Sequence, residues 1–413
     1  MISKLRLFIF SLLAVAIFSC GGDNSASEGE TVGKNSNVAP GLASSSDTGS
    51  SDNRDNIFRL NFSDPPTFDP ALVTDTTSAS IIVEIFSGLV TLNKDLEIIP
   101  DLAESWEVSD DGKTYRFNLR KGIKFSNGDP VTAEDFKWSI ERASNPDTGS
   151  MNAEVYLGDI LGVKEVVESG GELKEVQGVN VIDDKTLEIT IDEPKTYFLA
   201  KLTYPTAFVL NKNYVEKQGE DWIDNPVGTG PFVLTEYQIG QTLKLKKNEN
   251  YWGEKAKVDG IIMNLAGGVS MAMYENDEID ITGVGLADLE RVKDPNDPLN
   301  KDLVNVPPQF SLNYIGFNVN MPPFEDENFR KALSYAVDKE IIADKIYSGL
   351  TKPSYSIIPP GFPGYSPSIK GIEFNEELAK EYLAKSKYSD PATRPRIIVT
   401  IPGTGGSPGL DTE

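Results

Sequence analysis

The sequence predicts a mixed α/β protein of two lobes, on three observations. Strand-like alternation and helical spacing follow one another without the regular βαβ rhythm of a doubly wound sheet. Residues 57–413 are too many for one ordinary hydrophobic core, so two lobes are expected. After Cys20 the chain has no cysteine, so the cores must hold without disulfides or thiolate metal sites.

The N-terminus reads as an export signal. Lys4 and Arg6 precede an apolar run from Leu7 to Phe18, broken only by Ser11, and Ser19-Cys20-Gly21-Gly22 follows. The run is shorter than the roughly 20 residues a membrane span needs. Ile17-Phe18-Ser19-Cys20 resembles the bacterial lipobox, so residues 1–20 are expected to be a lipoprotein signal peptide, with Cys20 lipidated as the new N-terminus. Ordinary cleavage leaving a free thiol is the alternative, and both put the protein outside the cytoplasm. Residues 21–56 are rich in Ser, Gly, Asn and Asp and cannot bury a core, which predicts a disordered linker. As a flexible coil it would reach roughly 30–36 Å, enough to hold a folded body clear of a bilayer.

Composition removes several classes of function. The chain has no histidine, which excludes Ser-His-Asp triads, Cys-His pairs and histidine-ligated zinc or haem. The net charge of −24, from 39 Lys+Arg against 63 Asp+Glu, repels phosphate backbones, so no nucleic-acid partner is expected.

Ile57-Phe58-Arg59-Leu60-Asn61-Phe62 alternates as a strand, and the Pro-rich turns Asp64-Pro65-Pro66 and Asp69-Pro70 follow. Ser78 to Phe86 has the spacing of a short helix ending at Gly88. From Trp106 to Phe136 the pattern is β–β–α. Asp110-Asp111-Gly112-Lys113 is a turn, Tyr115, Phe117 and Leu119 line one strand face, and Asn127-Gly128-Asp129-Pro130 is a second turn. Thr132 with Asp135 caps a helix whose Ala133, Phe136, Ile140 and Ala143 share a face. Val179 to Ile191 is a hairpin turning at Asp183-Asp184-Lys185, and Phe232 to Lys247 is another, turning near Gly240. Helices are expected over Phe329–Ala336, from Asp338 to Gly349, and over Glu376–Lys385 with Asn375 as cap. Arg396 to Ile401 reads as a strand.

Several motifs invite chemistry that their surroundings explain without it. Gly228-Thr229-Gly230-Pro231 lacks the Gly-Lys-Ser/Thr ending of a P-loop and reads as a turn into the strand at Phe232. Paired acids such as Asp110/Asp111, Asp183/Asp184 and Glu376/Glu377 could suit glycoside hydrolysis, but they fall in turns or at a helix start. Asp277-Glu278-Ile279-Asp280 lacks the glycine and distal glutamate of an EF-hand, and an exposed helix-to-strand junction is expected there. Trp106, Trp138, Trp222 and Trp252 are assigned mostly to packing, although aromatic walls also line solute clefts. No enzyme activity, cofactor or metal is expected.

The block Asp101-Leu102-Ala103-Glu104-Ser105-Trp106, then Asp111 to Phe117, Leu119 to Phe125 and Asn127 to Phe136, resembles the family 5 extracellular solute-binding proteins of ABC transporters. Phe68-Asp69-Pro70, Pro226 to Phe232, Asn248 to Trp252, Tyr314 to Asn318 and Phe329 to Asp338 extend the likeness across the exported chain. The resemblance implies a type II periplasmic-binding-protein fold, with lobe 1 at about 57–308, an extra subdomain at about 98–226, and lobe 2 at 309–413. It implies a hinge, solute held between the lobes, and delivery to permease and ATPase subunits in separate chains. For a peptide ligand it implies strand-like main-chain capture by Thr74, Asp75 and Thr76, with Tyr156 lining the subdomain side and Phe310, Ser311 and Asn313 facing the same cleft. A monomer goes with this reading. Relatives continue beyond the strand matching Ile397–Ile401, so the chain is expected to be C-terminally truncated with lobe 2 incomplete. Nickel or oligosaccharide binding within the family is the nearest alternative to peptides. A surface lipoprotein acting only as scaffold or adhesin, a truncated remnant, is the alternative from another class.

Overall fold

The structure, a computed structural model, describes residues 55–306, 311–360, 362 and 364–397. The expected signal peptide, Cys20, nearly all of the linker and Phe310 lie outside the described residues. Of the expected strand Arg396–Ile401 only Arg396 and Ile397 are described, and neither is in a strand. The chain divides into two compact units, one reaching to Thr282 and one beginning at Gly283.

In the first unit the elements run β1 (Ile57–Asn61), α1 (Thr76–Ile85), β2 (Val90–Leu92), β3 (Ile98–Pro100), β4 (Ala103–Val108), β5 (Thr114–Leu119), α2 (Ala133–Ser144) and α3 (Ala153–Leu157). Then come β6 (Val179–Asp183), β7 (Thr186–Thr190), β8 (Phe232–Gln238), β9 (Thr242–Lys247) and β10 (Gly260–Asn264). They make two four-stranded sheets, ordered β1-β10-β9-β8 and β4-β5-β7-β6, and a small β2-β3 ladder. β1 runs parallel to β10, with Ile57 opposite Gly260, whereas β10-β9 and β9-β8 are antiparallel. A strand drawn from residue 57 pairing with one near 260 is what a long crossover produces, and no local pattern announces it.

The two sheets organise separate cores. In the β4-β5-β7-β6 sheet Tyr115 faces Ile189 and Phe117 faces Leu187 across an antiparallel pair, and all four are buried. Helix α2 lays Ala133, Phe136, Ile140 and Ala143 on this sheet. Its first turn carries the expected capping box, with Thr132 Oγ1 accepting from the Asp135 N–H and Asp135 accepting from the Thr132 N–H. The other core packs Ile81, Ile82 and Ile85 of α1 against Leu60 of β1, Phe232 and Leu234 of β8 and Leu243 and Leu245 of β9.

Glycines explain how the cores' connections approach so closely. A Cβ on Gly228 would lie 2.0 Å from the Ile85 carbonyl oxygen, and one on Gly230 2.5 Å from that of Glu84. The Gly228-Thr229-Gly230-Pro231 turn thus lies against the end of α1 and feeds β8. The helix-to-strand junction expected at Asp277–Asp280 is half realised. A helix Ser270–Glu275 precedes it, but no strand follows. Instead Asp280 ties this segment to β1, its carboxylate accepting the Arg59 N–H at 2.7 Å and its own N–H donating to the Arg59 carbonyl at 2.8 Å.

In the second unit the helices Glu327–Ala336 and Glu376–Lys385 pack together, capped by Asp326 and Asn375. Helix starts sit as expected, because Asp and Asn accept orphan first-turn N–H groups. Among the described residues no helix is long and apolar enough to cross a membrane.

Candidate functional site

The segment Thr74–Thr76 is built as an exposed ledge between two anchors. Upstream, the buried Asp69 carboxylate takes the Arg142 guanidinium through both oxygens, at 2.5 and 3.1 Å, and also the Ala71 N–H at 2.9 Å. Val73 is fully buried, and the next residue, Thr74, is exposed. Downstream, Asp75 has an extended backbone (φ −131°, ψ 158°) and caps α1 by accepting the Ser78 N–H at 2.7 Å. Ser78, itself buried, accepts the Thr67 N–H at 3.1 Å and ties the cap to the preceding loop. Among the described residues neither the N–H nor the C=O of Thr74 has a protein partner, and the same holds for the Asp75 N–H.

Three side chains lie against this ledge. Asn152 Nδ2 donates to the Val73 carbonyl at 2.6 Å and lies 3.2 Å from the Tyr204 hydroxyl, which donates to that same carbonyl at 3.3 Å. Tyr156 stacks on Tyr204 with ring centroids 3.6 Å apart and planes 4° from parallel. Burial first, then the neighbouring Tyr156 and the negative charge of Asp75, push the Tyr204 hydroxyl above its ordinary pKa, so it stays a neutral donor.

Of the residues expected to bind ligand, the structure brings Thr74, Asp75, Thr76 and Tyr156 to one place, linked through Val73 and Tyr204. Ser311 and Asn313 are exposed in the second unit, on a stretch without helix or strand. Sequence reasoning missed Asn152 and Tyr204. Asn152 occupies the N-cap position of α3 and makes no side-chain cap bond, while its Nδ2 donates to the Val73 carbonyl. An asparagine before a helix is ordinarily a cap, and no local pattern marks a partner 79 residues away.

The other motifs are engaged structurally. The Gly230 N–H donates to Ile85 at 2.8 Å and Gly228 accepts from Ser126 at 2.8 Å, so the turn's Gly230 amide is not free to cradle a phosphate. Asn248 Nδ2 holds the Gly230 carbonyl at 2.7 Å, and Asn250 Nδ2 holds that of Ser126 at 3.0 Å. Ser126 and the segments Pro226–Phe232 and Asn248–Trp252 therefore meet at one seam. In the Asp110/Asp111 turn, Asp111 accepts from Ser109 at 2.6 Å and from the Lys113 N–H at 3.1 Å, which occupies it as a turn residue. A hollow of about 380 Å³ is lined by Glu104, Arg120, Lys121, Ile123 and Trp252, with the Arg120 guanidinium 4.0 Å above the Trp252 ring. In the second unit an apolar groove of about 410 Å³ runs between the helices Glu327–Ala336 and Glu376–Lys385.

Comparison with known proteins places this geometry. Residues 97–408 match the model of the bacterial extracellular solute-binding proteins, family 5. The chain is 34% identical over 384 residues to the dipeptide-binding protein DppE of Bacillus subtilis, covering 89% of this chain and 69% of that protein. It is 32% identical over 346 residues to the probable deoxycholate-binding periplasmic protein YgiS of Escherichia coli, covering 80% of this chain and 63% of that one. Among solved structures, the periplasmic oligopeptide-binding protein OppAIV of Borrelia burgdorferi superposes with a TM-score of 0.70 at 29% identity, covering 80% of this chain and 67% of that one. The chain thus spans about two thirds of the length of these relatives. The fold class is the mixed α/β one expected, of the type II periplasmic-binding-protein kind. Members of this family bind solutes rather than transform them, and the match over 97–408 means that this chain belongs to the bacterial extracellular solute-binding proteins of family 5.

Proposed function

We propose that the protein captures short peptides outside the cytoplasm and delivers them to an ABC importer whose permease and ATPase are separate chains. The observation that carries this reading is the Thr74–Thr76 ledge. Among the described residues the Thr74 N–H and C=O and the Asp75 N–H have no protein partner, the backbone is extended at Asp75, and both ends of the ledge are fixed. A peptide offers the complementary N–H and C=O groups at strand spacing, and such pairing accepts many sequences because it ignores side chains. Tyr156 adjoins the ledge and supplies an aromatic surface for a side chain. Ser311, Asn313 and Phe310, the last outside the described residues, belong to the proposed ligand set on the strength of the family motif. The names of DppE and OppAIV support peptides as the ligand class.

Cys20, outside the described residues, is proposed as the lipid attachment site, with residues 57–308 and 309–413 as the two lobes of a monomeric receptor. A second reading, an amphipathic steroid-like acid, is favoured by the similarity to YgiS. Mass spectrometry of small molecules released from the purified protein separates the two. Recovery of di- to pentapeptides is the expected result, and recovery of bile acids with no peptide would decide for the second. Fractionation of cells carrying C20S tests the anchor, since the variant should move from the membrane to the soluble fraction.

A further inference from the structure

The contacts behind the ledge matter as much as the ledge itself. Val73 is fully buried, so its carbonyl must find protein donors, and those donors come from residues 79 and 131 positions along the chain. The Asn152 bond, at 2.6 Å, is the shorter, and the Tyr204 hydroxyl at 3.3 Å reinforces it. Tyr204 also fixes the plane of Tyr156 by stacking. One pair of side chains therefore sets both the main-chain edge and the aromatic surface beside it.

We propose that Asn152 and Tyr204 are positioning residues for ligand capture. They hold the carbonyl just before Thr74–Thr76, so that the segment's unpartnered main-chain groups meet a peptide already extended. The inference rests on the peptide reading above. An edge that is ordered before binding spares the complex the entropy of ordering it, and that saving appears as affinity. If the pair were released, the exposed Thr74 would sample other conformations while α1, which begins at Thr76 and is capped by Asp75, stayed folded.

Asn152→Ala and Tyr204→Phe in the full chain test this, with tetra-alanine as the probe. The phenylalanine keeps the stack on Tyr156 and removes only the hydroxyl. In the ligand-free proteins, backbone 15N order parameters at Thr74 and Asp75 should fall in both variants, more in Asn152→Ala, while those in β4–β7 stay as in wild type. Tetra-alanine affinity should fall about tenfold in Asn152→Ala and about threefold in Tyr204→Phe, through faster dissociation. Unchanged order parameters at Thr74 and Asp75 overturn the proposal, and so do lowered ones with wild-type affinity. Should Asn152→Ala not fold, Tyr204→Phe decides by the same two readouts. Wild-type protein that binds no peptide overturns the peptide reading and the capture role with it. The order-parameter comparison, made without ligand, then still decides whether the pair holds the ledge.

Discussion

Glu84 sits in the last turn of α1 and makes no hydrogen bond or ion pair among the described residues, and burial pushes its carboxyl up to about 7. Asp101 is likewise pushed up to about 7, because burial outweighs the Gly88 N–H, the Arg120 charge and Trp252. The folded chain holds both protons more tightly than the unfolded chain does. Their contribution to stability is therefore complete below about pH 4 and is lost as pH rises through about 7. Glu84→Gln should raise the melting temperature clearly at pH 8 and much less at pH 5, a difference on the order of 2 kcal/mol. Calorimetry at the two pH values checks this, and equal shifts would count against it. The buried Asp69 carboxylate, by contrast, has a charged partner in Arg142. Arg142 also lies 5.4 Å from the Trp222 ring, so Arg142→Ala should strand a buried carboxylate and cost about 3–5 kcal/mol in urea unfolding.

At the scale of elements, caps and close approaches divide the problem between what is local and what is not. The Thr132/Asp135 box is a local device, and Thr132→Ala should destabilise by about 1 kcal/mol. Its spacing alone identifies it, as the alternation of Tyr115, Phe117 and Leu119 identifies a half-buried strand. The glycines of the 228–231 turn are legible as a turn but not as a contact. Gly228→Ala and Gly230→Ala each drive a methyl group into α1 backbone, so each should cost about 1–3 kcal/mol, with Gly228 the worse. Thermal melts of the two variants give the order. Reversal of that order would mean the turn relaxes away from α1.

Over the whole molecule the two units differ in how much apolar surface they bury. The first has two extensive cores. Among the described residues of the second, Leu289, Val292, Phe329, Ala332, Ala343 and Ala379, with Pro323 and Pro359, are the buried apolar side chains, whereas Tyr314, Ile315 and Ile357 are 79%, 73% and 86% exposed. Since local stability follows buried apolar contact, limited proteolysis should cut within residues 303–320 well before the first unit is touched. First cuts inside the β4-β5-β7-β6 sheet would contradict this.

Local and helical-range patterns were enough to determine the mixed α/β class, the capped helices, the hairpins at 179–191 and 232–247, and the family, since each rests on residues close together in the chain. The tertiary structure alone decided that β1 pairs with a strand near residue 260 and that Gly228 and Gly230 must admit α1. It alone decided, too, that Asn152 and Tyr204 grip Val73. Those contacts join residues scores of positions apart, and their energy comes from burial and hydrogen-bond satisfaction that no short window of sequence contains.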